Sequence, residues 1–215
     1  MPRIADDAIG AATERGTAPA APDAERRQLM DAALKVMRRN GFLGASVQDI
    51  LDDAGLSTRA FYRQFQSKDD LLLAMFRTAA GPDVDLVAER VANAPSPVQA
   101  VRIWVDELLD IAYDRKRIQR LVIFNNSARQ TVGYDDEVAW LVDHLVAPLL
   151  EALRRGAADG SLAAADPIPD AYSTFDLVWS VASPLVRQRR PIDRADACDH
   201  VLRFCLPALG APVER

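Results

Sequence analysis

"ASVQDILDDAGLSTRAFYRQFQSKDDLL", Ala45–Leu72, is the stretch on which the reading of the fold turns. Ser46, followed three residues later by Asp49, is a short variant of the capping box and opens a helix carrying Val47, Ile50, Leu51 and Ala54. Gly55 ends that helix, because glycine accepts the left-handed conformation a helix stop needs. Ser57 caps a third short helix whose Phe61 and Phe65 face inward with Leu56, and Ser67 with Asp70 repeats the capping pattern ahead of Leu71, Leu72, Met75 and Phe76.

Two short helices joined by a turn that contains glycine form a helix-turn-helix, and the second helix has the size of a B-DNA major groove. With Phe61 and Phe65 locked into the unit, Thr58, Arg59, Ala60, Tyr62 and Arg63 are left for the groove and its walls. Arginine forks onto guanine, a small side chain meets a thymine methyl, and the Tyr62 hydroxyl has a phosphate as a natural partner. Ser46 and Lys68 each stand at a helix N-terminus, where free N–H groups and the helix dipole favour a phosphate. On spacing alone, a compact three-helix unit with a charged solvent face fits as well.

The longer run "GFLGASVQDILDDAGLSTRAFYRQFQSKDDLL", Gly41–Leu72, resembles the DNA-binding signature of the TetR family of bacterial repressors. The resemblance covers the first four helices. It implies an N-terminal helix-turn-helix domain followed by a variable helical domain that dimerises and binds a small molecule. It also implies double-stranded operator DNA as a partner, contacted by Ser46, Ser57, Thr58, Arg59, Tyr62 and Lys68. Two positions depart from the family pattern: Ser46 stands where threonine is usual and keeps the hydroxyl, and Leu51 places a larger side chain where alanine is usual.

Helical periodicity runs through almost the whole chain and strand-like alternation is convincing nowhere, so the fold class is all-α. The first helix spans about Asp23 to Asn40, with Leu29, Met30, Ala33, Leu34 and Met37 on one stripe and Asn40-Gly41 as its stop. Beyond Gly81-Pro82 the helices lengthen, broken at "NAPSP" (93–97), "QTVGYDD" (130–136), "AADPIP" (164–169) and "RRPID" (189–193). The domain expectation is a mobile tail over 1–22, a helix-turn-helix domain over 23–70 and a helical bundle for ligand binding and dimerisation over 71–211.

The net charge of −5 argues against indiscriminate nucleic-acid binding, but it hides an asymmetry. From Ala24 to Lys68 eight basic residues face five acidic ones, a surplus of +3 that leaves −8 for the remainder. Positive charge is concentrated where the helix-turn-helix lies.

In the second part of the chain Val101, Trp104, Val105, Leu108 and Ala112 share one helical face, and Leu121, Phe124 and Ala128 another. Asn125 falls inside that second stripe, where two readings stay open: a ligand contact, or an amide satisfied by a neighbouring helix or water. Val138, Leu141, Val142, Leu145 and Leu149 form a core stripe with Trp140 and His144 on nearly the opposite face, so this helix lines a cavity or meets a second subunit. Ala171, Phe175, Val178, Ala182 and Leu185, with Trp179 at the edge, form one further stripe; Ala195, Cys198, Leu202, Cys205 and Leu209 form another. The resemblance assigns these last two helices, about 170–187 and 193–209, to a homodimer interface. The candidate lining for a small, fairly apolar effector is Trp104, Leu108, Phe124, Asn125, Trp140, His144, Phe175 and Trp179.

No metal and no cofactor are expected: His200 lies about 200° around its helix from Cys198, so Cys198, His200 and Cys205 do not converge. An enzyme reading lacks a phosphate loop, a nucleophile elbow or a metalloprotease His pair. The two closely spaced cysteines make no disulfide framework, and no apolar run has the roughly 18 to 20 residues a bilayer span needs. The expected setting is the reducing cytoplasm, with no membrane partner.

Overall fold

The computed structural model describes residues 22–114, 117, 133–183 and 191–212. Eight helices are described: α1 (Pro22–Gly44), α2 (Val47–Ala54), α3 (Thr58–Gln64), α4 (Lys68–Ala92), α5 (Pro97–Tyr113), α6 (Tyr134–Asp159), α7 (Pro167–Ala182) and α8 (Arg194–Ala208). The all-α expectation holds, and no strand occurs among the described residues.

Local chemistry sets the short elements. In α1 the backbone leaves helical geometry at Gly41, with φ 72°, so the regular helix stops at Asn40 although a further turn follows. The Ser46 hydroxyl accepts the Asp49 N–H at 3.0 Å while the Asp49 carboxylate accepts the Ser46 N–H at 3.0 Å, which closes the capping box of α2. Gly55 ends α2 at φ 64°, ψ 31°, the left-handed region. At the start of α4 the box is skewed: Ser67 Oγ accepts the Asp70 N–H, but the Asp70 carboxylate reaches past Ser67 to the Gln66 N–H at 2.8 Å.

Asp49 offers a direct check on this capping. Its carboxyl is held below its ordinary value of 3.8, first by the Ser46 hydroxyl and then by the Ser46 N–H. A carboxyl depressed by folding contributes stability that is complete above the unfolded value and disappears as pH falls through the lower folded one. In an NMR titration the Asp49 midpoint should therefore fall below 3.8, and in Ser46→Ala it should climb back toward 3.8.

Gly81-Pro82, where the sequence reading passes from short helices to long ones, interrupts nothing: α4 runs through both residues. A proline inside a helix removes one backbone hydrogen bond, a cost offset here by apolar burial on both sides. Leu71, Leu72, Met75 and Phe76 enter a first core with α1, α2 and α3, whereas Val84, Val87 and Val91 enter a second core with α5 to α8. One continuous helix thus belongs to both cores, and the expected boundary at 70/71 falls inside it.

The first core is built on Leu29, Ile50, Phe61, Phe65, Leu71 and Leu72, all essentially inaccessible. Leu51, larger than the alanine usual in the family, is absorbed into it. In the second core the α5 stripe is buried as read, with Trp104 fully enclosed and its Nε1–H donating to the Leu145 carbonyl at 2.7 Å. The α8 stripe is rotated from the expected one. Ala197, Val201, Cys205, Leu206 and Leu209 are buried, Cys198 and Leu202 are half-buried, and Ala195 is exposed. In this rotation the Arg194 guanidinium spans to Asp106 (2.6 Å) and Asp110 and ties the α8 N-terminus to α5.

Candidate DNA-reading face and effector cavity

α3 presents Thr58, Arg59 and Tyr62 to solvent, Tyr62 with 60% of its surface exposed, and Ser46 and Ser57 are exposed beside it. Arg59 takes part in no ion pair among the described residues. Three expected contacts are placed differently. Ala60, read as a small residue for the groove, is only 5% exposed, because the turn of α3 that buries Phe61 carries its neighbour inward too. Arg63 is exposed but forms an ion pair with Glu25 of α1. Lys68, at the start of α4, donates from Nζ to the Ala45 carbonyl at 2.9 Å and so ties α4 to the segment that leads into α2.

The basic surplus of this region is partly consumed by such contacts. Asp53 pairs with Arg39 at 3.0 Å and with Lys35 at 3.7 Å, both on the outside of α1. Arg26 donates to the Gln64 carbonyl at 3.0 Å with its guanidinium 4.4 Å from the Phe65 ring centre, and Gln28 donates to the Ala54 carbonyl at 2.7 Å. These side chains hold the C-terminal ends of α2 and α3 against α1. Composition alone registers the charges but not their partners.

Between α4, α5, α6 and α7 lies a cavity of about 250 Å³. Leu108, Phe175 and Trp179 of the expected lining face it, and the Phe175 and Trp179 rings stack nearly parallel, 12° apart. Val138, Leu141 and Val142, read as plain core, are half-buried because they border this space. Asp83 adds a carboxylate, paired with Arg117 at 3.4 Å. Phe76, Ala80, Ile111, Tyr134 and Leu145 also border it, and none of them is among the effector contacts expected from the sequence.

The other expected lining residues are not brought together there. Trp104 packs in the second core without bordering the cavity. Trp140 and His144 pack at 4.6 Å with their rings tilted by 37°, on the opposite side of α6, with His144 exposed and its Nδ1 2.7 Å from the Trp140 carbonyl. The Arg77 guanidinium covers the Trp140 ring at 5.4 Å and pairs with Glu137, so this aromatic pair belongs to an α4–α6 clasp. Phe124 and Asn125 lie outside the described residues.

Three buried glutamates, invisible to periodicity, recur as pins between helices: Glu25 with Arg63, Glu107 with Arg90 and Glu137 with Arg77. Each joins a nearly inaccessible carboxylate to a half-exposed guanidinium of another helix, which satisfies the charge without burying both partners. Asp106, Glu107 and Asp110 lie close enough together to interest a cation, yet each is already paired, Glu107 with Arg90 and both aspartates with Arg194.

Residues 29–75, from α1 into α4, match the family model described as bacterial regulatory proteins, tetR family. The helix-turn-helix segment of the chain is thus of the tetR-family type. Among curated relatives, an uncharacterized HTH-type transcriptional regulator of Bacillus subtilis, YezE, is 25% identical over 128 residues, 60% of this chain and 66% of that protein. The chain spans less than two thirds of the length of the first curated relatives it matches. Solved structures share the fold across the second core as well. A putative regulator from Pseudomonas aeruginosa PAO1 superposes with a TM-score of 0.73 at 18% identity, over 89% of this chain and 93% of that one. The regulator FadR from Bacillus subtilis, in complex with stearoyl-CoA, gives 0.64 at 19%, over 85% and 98%.

Proposed function

We propose that this chain is a dimeric transcriptional repressor of the cytoplasm, not an enzyme, that grips operator DNA with α3 and releases it when a small, fairly apolar effector enters the cavity. The single observation that carries the reading is the exposed Thr58, Arg59 and Tyr62 face of a capped seven-residue helix, held from behind by Phe61 and Phe65. Thr58 and Arg59 read base edges; Ser46, Ser57 and Tyr62 hold phosphates. A footprint over the DNA upstream of its own gene, run with a salt series, tests this, and no protected site at any salt would overturn it.

Dimerisation is supported by where apolar surface is left uncovered. Among the described residues the exposed large hydrophobics besides Tyr62 are Ile168, Tyr172 and Trp179 on α7 and Phe204 on α8. Apolar groups clustered on two neighbouring helices favour burial against a second copy. Two copies then present two α3 helices to half-sites about one turn of DNA apart, which multiplies affinity.

The effector reading rests on the cavity and on α4. Phe76 and Ala80 border the cavity a few turns along the same helix that begins at Lys68, so a molecule that favours a displaced α4 shifts the population toward a spacing of the two α3 helices that no longer fits DNA. FadR of Bacillus subtilis, similar in fold, holds stearoyl-CoA, so long-chain acyl thioesters are sensible first probes alongside planar apolar compounds. Val142→Phe places a ring in the cavity. It should weaken effector binding at least about tenfold while operator affinity without effector stays within twofold, as read by thermal shift and by anisotropy on the same protein. Unchanged effector affinity would move the site elsewhere.

A further inference from the structure

The DNA-reading helix carries two arginines in different states. Arg59 projects from its first turn outside every ion pair among the described residues, whereas Arg63, one turn on, is paired with Glu25. The Glu25 side chain is 9% exposed and the Arg63 side chain 50%, so the carboxylate is the committed partner and the guanidinium the accessible one. The neighbouring Arg26 fastens the same end of α3 through the Gln64 carbonyl and the Phe65 ring, which keeps Glu25 and Arg63 in register.

We propose that Glu25 is a built-in brake on DNA affinity: it positions α3 and at the same time cancels the charge of Arg63, removing it from the set of phosphate contacts. Resting on the DNA-binding reading above, this explains why a helix with two arginines offers only one of them to the duplex. Pulling Arg63 onto a phosphate strands a buried carboxylate, and a buried unpaired charge is strongly unfavourable. Asp53 differs, since its side chain is 18% exposed against 9% for Glu25 and it keeps one of Lys35 and Arg39 when the other parts.

Counterion release separates a braked arginine from an engaged one. Each neutralised phosphate adds about 0.9 to the slope of log K against log salt. For Glu25→Gln, similar in shape but uncharged, the slope on a mixed-sequence duplex should steepen by about 0.9 per protomer, with several-fold tighter binding near 0.1 M salt. Arg63→Gln should leave the wild-type slope unchanged. The double variant Glu25→Gln/Arg63→Gln, which keeps two hydrogen-bonding amides and no buried charge, should return to the wild-type slope even if Arg63→Gln alone is unstable.

A slope that falls by about 0.9 per protomer in Arg63→Gln or in the double variant would show Arg63 already on a phosphate and overturn the proposal. So would an unsteepened slope in folded Glu25→Gln. Those results leave wild-type binding intact and remove only the brake, whereas a wild-type chain that binds no duplex removes the DNA-binding reading and the brake with it.

Discussion

Trp104→Ala is expected to lower the unfolding free energy by about 3 to 5 kcal/mol, the range for emptying a fully buried aromatic position. Trp104 is 0% exposed and touches α6 through a hydrogen bond as well as by packing, so its removal leaves a void beneath the cavity floor and deletes one inter-helix tie. Stability of a domain is about 5 to 15 kcal/mol, which makes this loss a large fraction of the whole. Urea unfolding followed by circular dichroism measures it as a lowered midpoint at constant slope. Trp104→Phe, which keeps most of the ring volume and gives up the N–H, should recover most of the loss, because the Leu145 carbonyl lies within α6 and keeps helical company. If instead Trp104→Ala folds normally and only effector affinity suffers, Trp104 borders the ligand and the core assignment is wrong.

Arg59→Ala should cost about 1 to 3 kcal/mol of operator binding per half-site, roughly 5- to 150-fold, with the discrimination between operator and scrambled duplex shrinking toward one. The reasoning is geometric. Arg59 stands at the exposed N-terminal end of α3, the part of a recognition helix that reaches base edges, and none of the carboxylates among the described residues holds it back. Tyr62→Phe is the informative companion. Loss of a neutral hydroxyl–phosphate contact should weaken operator and scrambled DNA alike by a smaller factor, without changing the salt slope. Anisotropy titrations of both variants on both duplexes decide the matter: equal loss on operator and scrambled DNA for Arg59→Ala would make it a phosphate contact and leave sequence reading to other residues.

Where the expectations met the structure, the signal was local. Ser46, Ser57 and Ser67 cap the helices they precede because a hydroxyl three residues ahead of a free N–H needs nothing from the rest of the chain. Gly55 terminates α2 for an equally local reason, its positive φ. The α5 stripe was legible because Trp104, Val105 and Leu108 face one way whatever packs on them. Gly81-Pro82 misled as a landmark because a proline's local cost is outweighed once a helix buries residues in two cores at once.

The amino-acid sequence by itself determined the helical class, the capped helix-turn-helix and its family, and the exposed trio of Thr58, Arg59 and Tyr62, since caps, turns and amphipathic periods act over a few residues. Only the tertiary structure decided that Arg63 answers to Glu25, that Ala60 turns inward, that Trp140 and His144 join an α4–α6 clasp, and that the cavity is bordered by Phe76, Tyr134 and Val142. Those outcomes depend on which faces of distant helices meet and on which buried charge finds which partner. Such pairings, 38 residues apart for Glu25 and Arg63 and 60 for Arg77 and Glu137, leave no trace in periodicity because their energy comes from desolvation relieved across an interface rather than from neighbours along the chain.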